Sequence, residues 1–426
     1  MPYNLIMSRS IELKTLGLSP EGQAEGLHEG RKVLLWGALP GEVVRAQVLR
    51  RKQAALLCRV VQVLEPSPYR IQPLEEHYLS CSPWQCLSPD KEPLLKVRLS
   101  AEVLQAEASL KPQGLRLQHT GGLFGYRNKM EFSFTQGPEG LSLAFFERSG
   151  RKKIPIKGCL LAREEINQKA TEILQALRDA RVPQEALKSL LVRADSRGRT
   201  LAAVFVMDRE ALRVSPGLQD VFVYYSDPRS PASVPTELLH APRECFLEEG
   251  LLGKPLRVGL LSFFQVNPRV FELTLQDMRP LLEGQQVVEL YAGVGSISIA
   301  LSDVLESALL VEAEPSAVHW ARENISLNGL QGRFQVLHAP AERALQALEG
   351  ARAVLLDPPR AGLHPKVLKK LLQVRPERIV YLSCNIRTLA RDLKALLPLY
   401  KVNFLGLYNF FPRTPHVEAL AGLLRP

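Results

Sequence analysis

Hydrophobic and polar positions change rhythm four times along the chain. Over residues 11–64, short stretches of roughly period two, Arg31-Lys-Val-Leu-Leu-Trp36, Glu42-Val-Val-Arg-Ala-Gln-Val-Leu49 and Ala55-Leu-Leu-Cys-Arg-Val-Val-Gln-Val63, are punctuated by Gly26, Gly30, Gly37, Pro40 and Gly41. That pattern predicts a small β-barrel. Residues 66–93 are proline-rich and aperiodic, reading as a linker with local structure, and a helical period runs from Asp90 to about Leu110. A central α+β region, residues 118–255, has its clearest strands at Tyr126-Arg-Asn-Lys-Met-Glu-Phe-Ser-Phe134, Leu141-Ser-Leu-Ala-Phe-Phe146 and Thr200-Leu-Ala-Ala-Val-Phe-Val206. In the first of these, Arg127-Asn-Lys129 reads either as a solvated face or as a phosphate contact. The last third alternates apolar runs with helical stretches: Gln286-Val-Val-Glu-Leu290, Ser307-Ala-Leu-Leu-Val311, Phe334-Gln-Val-Leu337, Ala353-Val-Leu-Leu356 and Arg378-Ile-Val-Tyr-Leu382. This alternation predicts an α/β, doubly wound, mostly parallel sheet.

These shifts divide the 426 residues into 1–68, 69–255 and 256–426. A hydrophobic content of 46% with 23% charged residues describes a globular protein, with no run long enough to span a membrane. The start, Met1-Pro-Tyr-Asn-Leu-Ile-Met7, lacks the charged-then-apolar order of a signal peptide, so a cytoplasmic monomer is expected. Six irregularly spaced cysteines read as free thiols. Lysine and arginine exceed the acids 54 to 44, a formal net charge of +10, concentrated at Arg50-Arg-Lys52 and from Arg148 to Lys153. That sign attracts polyanions, nucleic acid among them.

Two stretches carry candidate chemistry. Cys384 follows the apolar run ending at Leu382, so it should stand where a buried parallel strand ends, beside Ser383 and Asn385. Open α/β sheets place their chemistry there, and a thiol so placed is a candidate nucleophile. Glu289-Leu-Tyr-Ala-Gly293-Val-Gly295-Ser296 follows the first strand of the last third, and Glu312 ends the second. Two glycines let backbone approach a ligand, and an acid at the next strand's end can accept ribose hydroxyls. Dinucleotide sites use a third glycine where this chain has Ser298, so the looser turn suits S-adenosylmethionine.

Leu39-Pro-Gly-Glu42 leading into a strand, followed by a basic run, resembles the TRAM domain, an RNA-binding barrel of the oligonucleotide-binding type. Ser262-Phe-Phe-Gln265-Val-Asn-Pro268, the glycine turn, Glu312 with residues 324–329, Asp357-Pro-Pro-Arg360, Ser383-Cys-Asn385 with Thr388-Leu-Ala-Arg-Asp392, and His416-Val-Glu418 resemble the RNA uracil-5 methyltransferases. Tyr126-Arg-Asn-Lys129 extends the likeness into the central region, and the barrel makes the ribosomal-RNA branch the best match. The resemblance implies a Rossmann-like catalytic domain in which Gln265, Tyr291, Glu312 and Asp357 hold S-adenosylmethionine, Cys384 is the nucleophile and Glu418 the base. It implies RNA as partner, ribosomal rather than transfer, and no membrane.

Two departures stand out. Ile386 replaces the family's usual proline after Ser-Cys-Asn, which changes the stiffness of the turn. Many relatives also hold a [4Fe-4S] cluster on four cysteines; here Cys81, Cys86 and Cys159 are the matching thiols and Cys86 is offset, so a cluster is not expected and no metal ligand is assigned, the binding of another metal by these cysteines staying open. Two rival readings fit parts of the chain. An amino-group methyltransferase would place an aromatic residue where Arg360 stands, and a non-catalytic RNA-binding protein with the same fold would not need Cys384 and Glu418.

Overall fold

The computed structural model describes residues 10–52, 55–148, 150, 152–211, 218, 220–243 and 245–426. The opening Met1-to-Met7 stretch and part of the 148–153 basic run lie outside the described residues.

Strands Ser10–Leu18, Ala24–His28, Arg31–Trp36, Val43–Lys52 and Ala55–Glu65 close into the expected barrel, the fifth strand sitting between the third and fourth. Alternation buries Ile11, Leu13, Val33, Leu35, Val44 and Ala46 inside. The fourth strand runs on to Lys52, so the basic run is part of the strand, with Arg50 and Arg51 exposed. Glu42, fully buried at the Pro40-Gly41 turn, accepts from Leu39 N at 2.8 Å and pairs with Arg70 just beyond the barrel.

Part of the supposed linker is interior. Ser82 to Leu87 are buried, and the Trp84 indole donates to Gly22 O of the barrel at 3.0 Å. Residues without a period can still be core when they fill the corner between two units, and periodicity does not register that.

The central sheet has seven strands, with Glu164–Asp179 laid across it through Ile166, Ala170, Ile173 and Leu177. Next, Phe246–Leu251 and Lys254–Gly259 form a hairpin, so the boundary drawn at 255 falls inside one supersecondary unit. Its second strand is tied to the last third by Asn324, whose side chain accepts from Arg257 N and donates to Arg257 O.

The final sheet has eight strands. Phe334–His338, Ser307–Glu312, Gln286–Leu290, Ala353–Leu356 and Arg378–Ser383 run parallel in that spatial order; Glu418–Leu424 and Lys401–Tyr408 follow antiparallel to the strand before each. Leu117–Gln118 caps the far edge. Helix Glu92–Ala108 packs Val103, Leu104 and Ala108 on this unit's core beside Leu389 and Leu393. Its first turn holds a buried charge group: Lys96 Nζ lies 2.9 Å from Glu92, and Glu92 pairs with Arg413 at 3.2 Å. Two cations around one desolvated acid tolerate no loss of the acid, so this cluster fixes the loop that leads into Glu418. Among the described residues no helix is long and apolar enough to cross a membrane.

Candidate functional site

Parallel strands end on one edge of a sheet, and turns there can project side chains without breaking the ladder. Tyr291 follows Gln286–Leu290, Glu312 ends Ser307–Glu312, Asp357 follows Ala353–Leu356, and Cys384 follows Arg378–Ser383. Glu418 reaches the same edge from the opposite direction because its strand is antiparallel. The ladder pairs Leu382 with Leu420 and Ser383 with Ala419, so the next step sets Cys384 beside Glu418. All these residues, with Gln265, line one cleft of about 940 Å³, whose opposite wall includes Arg127, Lys129 and Phe145 of the central sheet.

The glycine turn is held from below. Gly293 and Gly295 take positive φ of 57° and 80°, and Tyr291, at φ 64°, takes a conformation that side chains seldom adopt. Buried Glu289 accepts from Ser298 N at 3.3 Å and from its hydroxyl; burial pushes this carboxyl up to about 8. Ser298 therefore joins the strand to the short helix Ser296–Ala300. Glu312 accepts from Gly293 N at 2.8 Å, Ala313 N at 2.7 Å and Glu314 N at 2.8 Å. These bonds orient the carboxylate, and its remaining lone pairs stay available to a ligand.

The central unit helps to shape the Ser262-to-Pro268 loop. Asn128 donates to Gln265 O at 3.1 Å, and buried Arg193 donates to Ser262 O at 2.6 Å. Asn128 is buried with Tyr126 and Met130, while Arg127 and Lys129 face the cleft. The solvated-face reading of Arg127-Asn-Lys129 is thus corrected: the strand forms a wall of the site, and burial lowers Lys129 to about 8. Across the loop, Gln265 Nε2 lies 3.4 Å from Asp357 Oδ2.

The acids are crowded. Burial raises Asp357 to about 7, with Gln265 opposing. Glu418 is raised well above the carboxylate range by burial and by Asp357, against the pull of Arg360, and its Oε2 is buried without a hydrogen-bond partner. Burial pushes the Cys384 thiol up to about 11, helped by Glu418 and Asp357 and opposed by Arg360. Arg360 is held by its own carbonyl, which accepts from Asn385 Nδ2 at 3.0 Å and Thr388 Oγ1 at 3.3 Å. Burial and surrounding cations keep His416 near 4 and neutral; its Nδ1 lies 3.5 Å from Arg360 Nη2. Ile386 opens the helix Ile386–Leu396 in the first position, where proline is common, and adds its side chain to the core.

The donor set suits S-adenosylmethionine: acceptors at Glu312 and Asp357, and an orphaned acid oxygen at Glu418, meet a cationic, hydroxyl-bearing ligand. The cysteines divide differently from expectation. Cys81 and Cys159 come together with Glu75 and His77, whereas Cys86 is buried among Leu39, Trp84, Leu87 and Leu99. Glu75 and His77 escaped the sequence reading, although His77 and Cys81, one helical turn apart, have a spacing that could have flagged them.

Residues 260–425 match the family model described as tRNA (Uracil-5-)-methyltransferase. The chain is 30% identical over 428 residues to a 23S rRNA (uracil(1939)-C(5))-methyltransferase of Alkalilimnicola ehrlichii, covering 96% of this chain and 95% of the relative. A protein of the same name from Pectobacterium atrosepticum is 28% identical over 98% of this chain and 94% of its own. In fold it resembles the Pyrococcus abyssi tRNA (uracil-54, C5)-methyltransferase solved with S-adenosyl-L-homocysteine, with TM-score 0.79, 21% identity and coverage of 97% and 100%. The likeness extends through barrel, central sheet and catalytic sheet, and the chain belongs to the family of S-adenosylmethionine-dependent RNA (uracil-5-)-methyltransferases.

Proposed function

We propose that this protein methylates carbon 5 of a uridine in ribosomal RNA through a covalent adduct on Cys384, with Glu418 as base. The observation that carries the mechanism is the strand register that sets Cys384 beside Glu418 at the floor of the cleft. Carbon 5 of uracil is a weak nucleophile. Cys384 gives up its proton to solvent in the cleft, its sulfur bonds to carbon 6, and the π pair moves onto the carbon-4 oxygen as an enolate. Gln265, Tyr291, Glu312 and Asp357 would hold S-adenosylmethionine, which would supply an electrophilic methyl group to carbon 5 and leave as S-adenosyl-L-homocysteine. Glu418, having first lost its own proton to solvent, then removes the carbon-5 proton; the C–H pair restores the double bond and expels the Cys384 thiolate. Because the target atoms are stacked in a helix, the uridine must be single-stranded or flipped into the cleft. Residues 1–68 and the central region, 69–255, are the RNA-gripping parts in this reading, and 256–426 the catalytic part.

Ribosomal RNA is favoured over transfer RNA by near-full-length likeness to two proteins named for 23S rRNA, barrel included. Such an enzyme would work in the cytoplasm. A 5-fluorouridine RNA should be methylated and then trapped on Cys384, because fluorine does not leave as a proton. Glu418→Gln should accumulate the methylated adduct with ordinary RNA, with release slowed by about 10²–10⁴-fold. Mapping 5-methyluridine in both RNA classes, from cells with and without the protein, decides the substrate. A site lost from transfer RNA alone would reject the ribosomal assignment and leave the chemistry standing.

A further inference from the structure

Glu75, His77, Cys81 and Cys159 each offer one ligand atom, and all four atoms lie within 4.8 Å of one another. His77 and Cys81 flank one helical turn, Glu75 precedes them, and Cys159 follows the edge strand Lys153–Ile156 of the central sheet. Methyl transfer uses none of the four. The buried His77 Nε2 lies 3.2 Å from Glu75 Oε1, at ion-pair distance. Two thiols, an imidazole and a carboxylate are a donor set for a borderline transition-metal ion.

The arrangement does not fit the cubane cluster of relatives. A cubane takes four ligands, each on a different iron at a different corner, so its ligand atoms stand further apart than those around a single ion. Here two sulfurs are present, and the third candidate, Cys86, turns its thiol towards Pro83 O at 3.7 Å in a separate apolar pocket. Around a single tetrahedral ion with bonds of about 2.0–2.3 Å, ligand atoms stand roughly 3–4 Å apart. The observed spread needs only a slight contraction to reach that.

We propose that Glu75, His77, Cys81 and Cys159 bind one tetrahedral Zn²⁺ ion in place of an iron–sulphur cluster. Binding forms two zinc–sulfur bonds, one zinc–nitrogen bond and one zinc–oxygen bond, and the two S–H protons and the His77 Nε2 proton leave to solvent. A supporting shell already exists: Glu75 Oε1 accepts from Leu160 N at 2.7 Å, and Glu75 Oε2 accepts from Gln85 Nε2 at 2.7 Å. The ion would tie the segment leaving the barrel to the central sheet. Ser80 and Cys81, which border the cleft, would be fixed with it.

Full-length protein produced in zinc-supplemented medium should contain one zinc per chain and no acid-labile sulfide by elemental analysis. Replacing it with Co²⁺ should give intense visible bands and a sulfur-to-cobalt charge-transfer band, a signature of tetrahedral thiolate ligation that needs no variant. Cys81→Ser and Cys159→Ser should lose the ion, His77→Ala should weaken it by tens-fold or more, and Cys86→Ser should keep it. Four irons with sulfide would overturn the proposal. So would protein that takes up neither Zn²⁺ nor Co²⁺, or a Cys86→Ser variant as metal-poor as Cys81→Ser.

Discussion

Cys384 and Cys81 both border the cleft, but their surroundings push the two thiols in opposite directions. Cys384 is raised to about 11 by burial, with Glu418 and Asp357 adding to the effect and Arg360 opposing it. Cys81 is drawn down by a hydrogen bond from Cys159, and again by His77, against the opposing effect of burial. The thiol that ionises more easily is therefore not the one at the strand end beside a base. A thiolate of high pKa is intrinsically the stronger nucleophile, and Cys384 pays for that reactivity with a small ionised fraction. In the proposed mechanism, position relative to the sheet edge, more than ease of ionisation, marks the reacting sulfur.

Exchanging the two thiols separately breaks this comparison most sharply. Cys384→Ala should form no adduct and lose roughly 10⁴-fold or more in methylation, the scale on which removal of a nucleophile acts. Cys81→Ser should still trap 5-fluorouridine RNA on Cys384. A Cys81→Ser protein that folds and binds RNA but forms no adduct would reverse the assignment.

Arg360 offers a subtler contrast, since it opposes the acids around Cys384. Arg360→Gln should raise the thiol further, and because addition needs the thiolate, the rise of kcat/KM with pH should move to higher pH. At neutral pH a thiol pKa higher by about one leaves about tenfold less thiolate, a loss that alkaline pH should recover. A uniform loss at every pH would show that Arg360 serves only to bind RNA.

How legible these features were in sequence depends on whether their partners are local. Gln286–Leu290, Ala353–Leu356 and Thr200–Val206 have the bounds that their apolar runs predict, because a strand buried on both faces needs little else. Glu418–Leu424 reads Glu-Ala-Leu-Ala-Gly-Leu-Leu, mostly helix formers, and becomes a strand by lying between Arg378–Ser383 and Lys401–Tyr408. Its tertiary position overrides its propensity. The cleft acids and Cys384 could be found from short motifs, each at one strand end. Glu75 and His77 gain their meaning from Cys159, and Glu92 from Arg413, which lie far along the chain and meet only on folding.

The smallest predicted effect concerns the acid crowding that separates the two thiol sites. Asp357 titrates at its ordinary 3.8 in the unfolded chain and near 7 in the folded one. Between these values the unfolded state has released a proton that the native state keeps, so stability falls as pH rises, and the cost is complete above about 7. Asp357→Asn removes this dependence. Since Asp357 is partly open to the cleft, the ligand-free variant should gain about 1–2 kcal/mol at pH 8 and little at pH 4, read from denaturant unfolding. The same change should weaken S-adenosylmethionine binding, because the amide lacks the charge. A variant no more stable at pH 8 than at pH 4, relative to the parent, would mean that Asp357 is already ionised in the empty cleft. Its contribution to the raised Cys384 thiol would then be larger, and the contrast with Cys81 would rest more on charge than on burial.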